Sequence, residues 1–221
     1  SETKTTRFKI LLNDSDRKLF IENKCQEIEF IDNTSDGLII SPVFDEISPD
    51  VFSKLKNNSN FIMIDPQGFL RKKTSENEIF LENSKIDLSG ISVIKTNYDE
   101  INALTGLNGD DAMKLLQDQG IEYVILTDKQ NISLLVKDKM YSIKLPNIKL
   151  HDTTGIGDIF CSTFCCTMLK EKDFLWALCF AGGAAQAAIE NKKLGLEKIP
   201  QKAAIENNGS YFYNMVKFRT V

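Results

Sequence analysis

Short apolar segments alternate with helical segments between residues 37 and 126, and this alternation constrains the fold more than any other feature. Each apolar segment has the length of a buried strand, and Gly106 and Gly120 mark the ends of two helices. The predicted strands are 37–40, 61–64, 91–94 and 121–126, and the predicted helices are 49–55, 98–105 and 109–119. Such alternation builds βαβ units, so we predict an α/β fold with a mostly parallel central sheet.

The segments on either side of this alternation follow other patterns. Residues 5–30 alternate polar and apolar positions around a turn-forming stretch, 13–16, which favours a β-hairpin or small sheet. We therefore predict a small β segment, 5–30, and an α/β domain, 31–221. Within that domain the predictions continue with an edge hairpin and two helices, 131–145, 156–170 and 173–190, whereas residues 202–221 support no prediction.

The composition narrows the classes of function. Apolar residues make up 42% of the chain, but no run reaches the 18 or so apolar residues that a membrane helix needs, so we expect no membrane span. A net charge of −4 and a pI of about 5.2 argue against a nucleic-acid groove. The five cysteines include no CxxC pair, and without a secretory signal they indicate a reducing, cytoplasmic setting with buried thiols.

A glycine-rich turn leads into an apolar helix at residues 152–160, Asp-Thr-Thr-Gly-Ile-Gly-Asp-Ile-Phe. Gly155 and Gly157 allow the backbone to come close to a ligand, and the free amides and dipole of a helix start favour a phosphate. Asp158, at the same turn, is suited to taking a proton from a nucleophile that attacks the phosphate. The alternative is a tight loop in which Asp158 only caps the helix. The segment matches neither the dinucleotide-binding GxGxxG fingerprint nor the P-loop pattern.

With its flanking residues this turn resembles the D-T-x-G-A-G-D-x-F signature of the PfkB/ribokinase family. The segment 97–100, Asn-Tyr-Asp-Glu, resembles the family's N-x-x-E segment, and Thr127 ends a strand where the family has a T-x-G-x-x-G turn. Further similarities lie at residues 5–8, Gly195 and Pro200. The resemblance implies a ribokinase-like three-layer fold, with residues 5–30 as part of a β lid and the family's N-terminal part missing.

The resemblance also implies an activity, which is ATP-dependent phosphorylation of a hydroxyl group on a sugar or polyol. Asp158 is the implied general base. The implied anion hole consists of backbone amides, those of Gly155, Ile156 and Gly157. Asn97 and Glu100 are implied to order Mg²⁺ and its waters. A homodimer formed through the lid is a further implication, which residues 5–30 alone do not establish.

The resemblance places the donor nucleotide as well. Thr127 and Thr154 are expected near the nucleotide phosphates, and Ala184 and Asn191 are expected to flank the adenine. The stretch after Thr127, Asp-Lys-Gln-Asn, lacks the family's glycines, and Ile156 is bulky where the family has a small residue. These departures keep open a non-catalytic sugar- or nucleotide-binding relative and a nucleoside kinase, while a nicotinamide-binding dehydrogenase rests on the α/β pattern and the GxG alone.

Two groups of predicted site residues have a purely structural alternative. Asn97 and Glu100 on their own match a capping box. The stretch 65–71 resembles the D-x-Q-x-x-[LI]-R segment of the inositol-kinase-like branch, but it also reads as a polar turn at a strand end. We predict Asp65, Gln67 and Arg71 as substrate contacts, because open α/β sheets bind ligands at the carboxyl ends of their strands. A polyol or sugar substrate is favoured over a nucleoside.

Overall fold

The computed structural model describes residues 4–13, 16–146, 153–191, 193 and 195–221. The strands are β1 (Arg7–Asn13), β2 (Asp16–Asn23), β3 (Leu38–Ile40), β4 (Ile62–Ile64), β5 (Arg71–Lys73), β6 (Ile79–Leu81), β7 (Val93–Asn97), β8 (Tyr123–Asp128), β9 (Asn131–Val136), β10 (Lys139–Lys144) and β11 (Lys217–Thr220). The α-helices are α1 (Pro49–Leu55), α2 (Gln67–Leu70), α3 (Tyr98–Thr105), α4 (Gly109–Asp118), α5 (Ile156–Glu171), α6 (Phe174–Glu190) and α7 (Lys202–Met215), and a 3-10 helix (Gly195–Lys198) precedes α7.

The central sheet has seven strands in the order β11-β10-β9-β8-β7-β4-β3. Neighbours from β3 to β8 pair in parallel, and neighbours from β8 to β11 pair antiparallel. Because β10 runs in the same direction as β8, only β9 and β11 oppose the other five strands. The predicted mostly parallel sheet, and the predicted edge hairpin at 131–145, are therefore confirmed.

The sheet is covered on both faces, which confirms the three-layer fold. Along β4, Met63 belongs to the core that contains Phe164 of α5, whereas Ile62 and Ile64 belong to the core that contains Met113 of α4. This alternation follows from the period of two in a β-strand. All three β4 side chains are fully buried, as expected for a parallel strand between two helical layers.

Helices α6 and α7 pack closely because small residues line their contact. A Cβ atom on Gly183 would lie 2.6 Å from the backbone nitrogen of Gly209, and one on Gly182 would lie 2.3 Å from Cδ1 of Ile143. The prediction of close packing for α6 is thus confirmed. Helix α7 and strand β11 lie in the stretch for which the sequence supported no prediction. Among the described residues, no helix is long and apolar enough to cross a bilayer.

The small β segment forms a hairpin, as predicted, but the strands that take part in it differ from the prediction. Strands β1 and β2 pair antiparallel, and a second hairpin, β5–β6, joins them where the amide of Ile21 donates to the carbonyl of Asn77 at 3.0 Å. Residues 27–30 were predicted to continue this sheet and form no strand. The amide of Ile28 instead donates to the carbonyl of Glu46, in the loop after β3, at 2.7 Å.

Candidate active site

The predicted site residues collect where the parallel strands end. Asp65 follows β4, Asn97 is the last residue of β7 and Thr127 is the second-last residue of β8. Ser41, which the sequence analysis did not predict, follows β3. The N-terminus of α5 lies at the same edge, because the hydroxyl of Ser41 donates to Oδ1 of Asp158 at 3.3 Å. A Cβ atom on Gly157 would lie 3.8 Å from Oδ2 of Asp65. The structure therefore brings the start of α5 to the edge where open α/β sheets bind their ligands.

The glycine turn sets the direction in which α5 begins. Gly155 is the N-cap, with φ 79° and ψ −4°, in the left-handed region that favours glycine. The amide of Ile156 donates to the carbonyl of Thr153 at 3.2 Å. This amide, predicted to hold a phosphate, is thus bonded within the turn, and an anion would compete with that carbonyl for it. The amides of Gly157 and Asp158 follow in the first helical turn, where backbone donors have no intrahelical partner.

Asp158 carries the exposed carboxylate of this turn. Asp158 is exposed to solvent. The N-cap residue of α5 is a glycine, so no side chain caps the helix there. Asp158 is the third residue of the helix and not its N-cap, and its Oδ1 accepts the hydroxyl of Ser41 at 3.3 Å. A carboxylate in the first turn is favoured by the helix dipole, and this one remains open to a ligand. Asp152, the first residue of the sequence motif, lies outside the described residues.

Asn97 and Glu100 form the capping box that their spacing allows. The side chain of Asn97 accepts the amide of Glu100 at 2.9 Å, and Oε2 of Glu100 accepts the amide of Asn97 at 2.8 Å. Glu100 is only 2% exposed. Burial raises the pKa of its carboxyl group above the usual value, although the ammonium of Lys95 opposes that shift. Both side chains thus have a structural task at the start of α3.

This arrangement does not fit a magnesium ion held directly by the protein. Across the described part of the chain, no three His, Cys, Asp or Glu side chains converge closely enough to hold a metal. One carboxylate oxygen of Glu100 is already occupied by a backbone amide. Magnesium typically keeps several waters and takes few carboxylates, so Asn97 and Glu100 could act only through such waters.

A buried ion pair, which we did not predict from the sequence, lies beneath the glycine turn. Nζ of Lys95 is 2.9 Å from Oδ2 of Asp65, and both residues are under 10% exposed. Burial lowers the pKa of the Lys95 ammonium, but the carboxylates of Asp65 and Glu100 outweigh it, so the pKa lies above its usual value. The other oxygen of Asp65 accepts the amide of Gln67 at 3.2 Å. Asp65, predicted to contact substrate, is thus occupied inside the protein.

A signal for Lys95 was present in the sequence. Strand β7 reads Val-Ile-Lys-Thr-Asn, and a lysine inside a buried parallel strand needs a buried partner of opposite charge. That requirement points to the nearest acidic residue at a neighbouring strand end, which is Asp65 at the end of β4.

Gln67 and Arg71 lie where α2 meets the β5–β6 hairpin. Gln67 begins α2, and Arg71 follows it as the first residue of β5. The guanidinium of Arg71 donates to the carbonyl of Val43 at 3.0 Å and lies 5.3 Å from the ring centre of Phe8. Arg71 therefore connects the loop after β3 to the β1–β2 hairpin.

The residues predicted to bind the nucleotide mostly contact other parts of the protein. The hydroxyl of Thr127 donates to the carbonyl of Thr96 at 3.1 Å, and the amide group of Asn191 donates to the carbonyl of Glu197 at 2.8 Å. Ala184 is fully buried in α6, so a purine could reach it only by opening the core. Thr154 is exposed in the glycine turn, and its carbonyl accepts the ammonium of Lys198 at 3.0 Å.

Comparison with known proteins agrees with the resemblance seen in the sequence. The model of the pfkB family of carbohydrate kinases matches residues 8–202. A ribokinase from Haemophilus influenzae is 34% identical over 122 residues, which is 52% of this chain and 40% of the ribokinase. The chain thus matches well under half the length of that relative.

Solved structures share the fold at low sequence identity. A pyrophosphate-dependent kinase in the ribokinase family superposes with a TM-score of 0.79 at 18% identity, covering 92% of this chain and 74% of that one. The Arabidopsis thaliana ribokinase complexed with ribose and ATP gives 0.72 at 17% identity, covering 94% and 70% of the two chains. Because the family match spans most of the sequence, and these structures share its fold, the chain belongs to the pfkB family of carbohydrate kinases.

Proposed function

We propose that this chain is the catalytic part of an ATP-dependent kinase that phosphorylates a hydroxyl group of a sugar or polyol. The observation that carries the proposal is the start of α5, where an exposed carboxylate, Asp158, lies three residues from an uncapped, left-handed Gly155. Family membership supports the phosphotransfer, and the geometry supports the assignment of the residues.

In the proposed reaction, the substrate hydroxyl oxygen attacks the γ-phosphorus while Asp158 takes the hydroxyl proton. A bond forms between that oxygen and phosphorus, and the bond from phosphorus to the bridging oxygen breaks, so that ADP leaves with the electron pair. Amides in the first turn of α5 donate hydrogen bonds to the phosphoryl oxygens as charge shifts during transfer. The protein contributes mainly by positioning the two reactants.

Ser41 contributes to this positioning. Its hydroxyl donates to Oδ1 of Asp158 at 3.3 Å and so favours one orientation of the carboxylate. The loop that holds Ser41 is fixed by Glu46, whose buried carboxylate accepts the amides of Val43 and Phe44. Orientation of a general base matters because proton transfer requires hydrogen-bond distance to the reacting group.

Magnesium is proposed to accompany ATP and to neutralise charge on its phosphates. Asn97 and Glu100 hold the start of α3 through their capping box, and in this proposal they meet the metal's waters and not the metal itself.

A second candidate donor is inorganic pyrophosphate. The β8–β9 hairpin turns through only two residues, Lys129 and Gln130, between the paired Asp128 and Asn131. This tight, glycine-free turn, together with the full burial of Ala184, favours a donor without a base. One of the similar structures is a pyrophosphate-dependent kinase complexed with a pyrophosphate analog and myo-inositol.

The test is a turnover screen with the full-length protein. ATP and pyrophosphate are each combined with sugars, polyols including myo-inositol, and nucleosides, and the phosphorylated product is detected by mass spectrometry. The proposal expects a phosphorylated sugar or polyol with ATP, and none with the Asp158→Asn variant. Product with pyrophosphate alone would replace the donor, and product from nucleosides alone would replace the acceptor. Donor binding without product from any acceptor would support a non-catalytic relative and contradict the proposal.

A further inference from the structure

Two buried lysines place their ammonium groups against the glycine turn from inside the protein. Lys95 is 9% exposed and Lys198 is 4% exposed. They come from different elements, β7 and the 3-10 helix after α6, so their convergence on one four-residue turn is not a consequence of local sequence. Buried lysines are uncommon, because removing an ammonium from water is costly unless a partner compensates.

Lys198 contacts the turn directly. Its Nζ donates to the carbonyl oxygen of Thr154 at 3.0 Å. That carbonyl belongs to the turn on which a phosphate is proposed to bind, and its partial negative charge would repel the anion. The ammonium neutralises this charge and holds the carbonyl in a fixed direction. The bond is partly buried, because Lys198 is buried while Thr154 is exposed, so solvent screens it less than a contact between two surface residues.

Lys95 lies beneath the following part of the turn. A Cβ atom on Gly157 would lie 3.4 Å from Nζ of Lys95 and 3.8 Å from Oδ2 of Asp65. Both ends of the buried pair therefore lie under the first turn of α5, with the ammonium slightly nearer than the carboxylate. The interior carboxylates keep this ammonium charged, as its raised pKa indicates.

A purely structural role explains these lysines less well. A buried ion pair adds little net stability over a well-packed apolar pair of the same volume. The interior around β4 and β7 is otherwise apolar, with Met63 and Ile94 fully buried, so apolar side chains would suit these positions. Lys56 differs from these two lysines, because its side chain is 9% exposed but its partner, Asp87, is 71% exposed at the surface.

We propose that Lys95 and Lys198 are positioning residues of the phosphate site, which supply positive charge from beneath the Thr154–Gly157 turn and hold its backbone for the anion. This proposal rests on the proposed function. Both lysines act through the turn and not by touching the substrate hydroxyl. The site is thereby charged from the interior in a protein whose net charge is −4.

The experiment measures binding of inorganic pyrophosphate and of ATP to the full-length protein by isothermal titration calorimetry, with melting temperature recorded for each variant. Lys198→Met is expected to raise the pyrophosphate Kd about tenfold, as for loss of one charge-assisted interaction. Lys198→Arg, which keeps the charge, is expected to stay within about threefold of the parent protein. Lys95→Met combined with Asp65→Asn removes the buried pair without leaving a lone charge, and is expected to raise Kd by about threefold or more.

Lys56→Met is the control, because it removes a lysine whose side-chain exposure is similar to that of Lys95 from an ion pair with a surface carboxylate. Its Kd should equal that of the parent protein. Unchanged binding in both Lys198→Met and the double variant would overturn the inference while leaving the proposed function standing. Equal weakening in Lys56→Met, or equal weakening in Lys198→Arg and Lys198→Met, would also overturn it. If the double variant does not fold, the Lys198 variants decide. A parent protein that binds neither pyrophosphate nor ATP would contradict the proposed function itself.

Discussion

Two helices, α3 and α5, begin at the same edge of the sheet, but their N-termini are capped differently. Helix α3 closes its own start, because Asn97 and Glu100 exchange hydrogen bonds with each other's amides and Glu100 is buried. Helix α5 begins at Gly155 without a side-chain cap, and its acidic residue, Asp158, is exposed. A closed start contributes to stability, whereas an open start leaves donors for a ligand.

The difference shows that a helix start alone does not identify a site. Both starts carry an acidic residue at the third helical position, and both follow the edge where ligands bind. The cap decides: an asparagine with a reciprocal glutamate satisfies the amides, while a left-handed glycine does not. Two lysines, Lys95 and Lys198, also lie against the α5 turn, and we propose that they add positive charge at the open start.

The largest expected effect is a loss of activity on substitution of the exposed aspartate at the start of α5, compared with the exposed aspartate at the start of α3. Asp158→Asn is expected to lower kcat by about a hundredfold to ten-thousandfold, because it removes the proposed general base. Asp99→Asn, an exposed aspartate in the first turn of α3, should change kcat less than about twofold. Steady-state kinetics with the identified donor and acceptor provide the comparison. Similar activity in the two variants would remove the functional distinction between the helix starts.

The buried pair between the two starts should show the next largest effect. Lys95→Met alone leaves Asp65 buried without its partner and is expected to lower the free energy of unfolding by about 3–5 kcal/mol. Adding Asp65→Asn should recover most of that loss. Urea denaturation of the three proteins measures both changes. A Lys95→Met variant as stable as the parent would show that the pair is not buried as described.

A substitution at the cap of α5 sharpens the comparison further. Gly155→Ala is expected to lower the free energy of unfolding by about 1–2 kcal/mol, because alanine is strained at a φ of 79°. No atom lies within 4 Å of the added Cβ, so contact plays no part. Gly106→Ala, at the left-handed end of α3, is the matched control, with φ 71° and equally open space. Both should lose stability in urea denaturation, but only Gly155→Ala should weaken pyrophosphate binding.

The smallest expected effect belongs to the closed start. Asn97→Ala removes one cap and is expected to lower the free energy of unfolding by about 1 kcal/mol. Pyrophosphate affinity measured without Mg²⁺ should stay unchanged, since the lost bond serves α3 itself. Urea denaturation and calorimetry test the two halves of this prediction. A loss of affinity without a loss of stability would assign Asn97 to the ligand and weaken the contrast.

The central part of the fold could be predicted because caps and apolar runs are local signals. The predicted helix 49–55 is observed as α1, and Gly106 ends α3 as predicted. Strands β5 and β6 were not predicted, because the segment from Arg71 to Leu81 is mostly charged and polar. Its contact with the β1–β2 hairpin depends on residues far apart in the chain. The direction in which the Asp65 side chain points could not be predicted either, because it depends on Lys95, which lies 30 positions further along the chain.

The site was predicted unevenly for the same reason. Asp158 and the glycine turn form one contiguous motif, and the structure places them together at the sheet edge. The donor side depends on separate elements, and there Ala184 is buried and Asn191 is bonded to the 3-10 helix. The contact of Lys198 could not be predicted, because it requires the 3-10 helix after α6 to lie against the glycine turn.

The central claim, that the open start of α5 holds the phosphate, can be tested by following backbone amide signals of ¹⁵N-labelled protein during a pyrophosphate titration. The account predicts saturable shifts at the amides of Gly157 and Asp158, and none at those of Asp99 and Glu100. Shifts at the start of α3, with the amides of α5 unmoved, would contradict it.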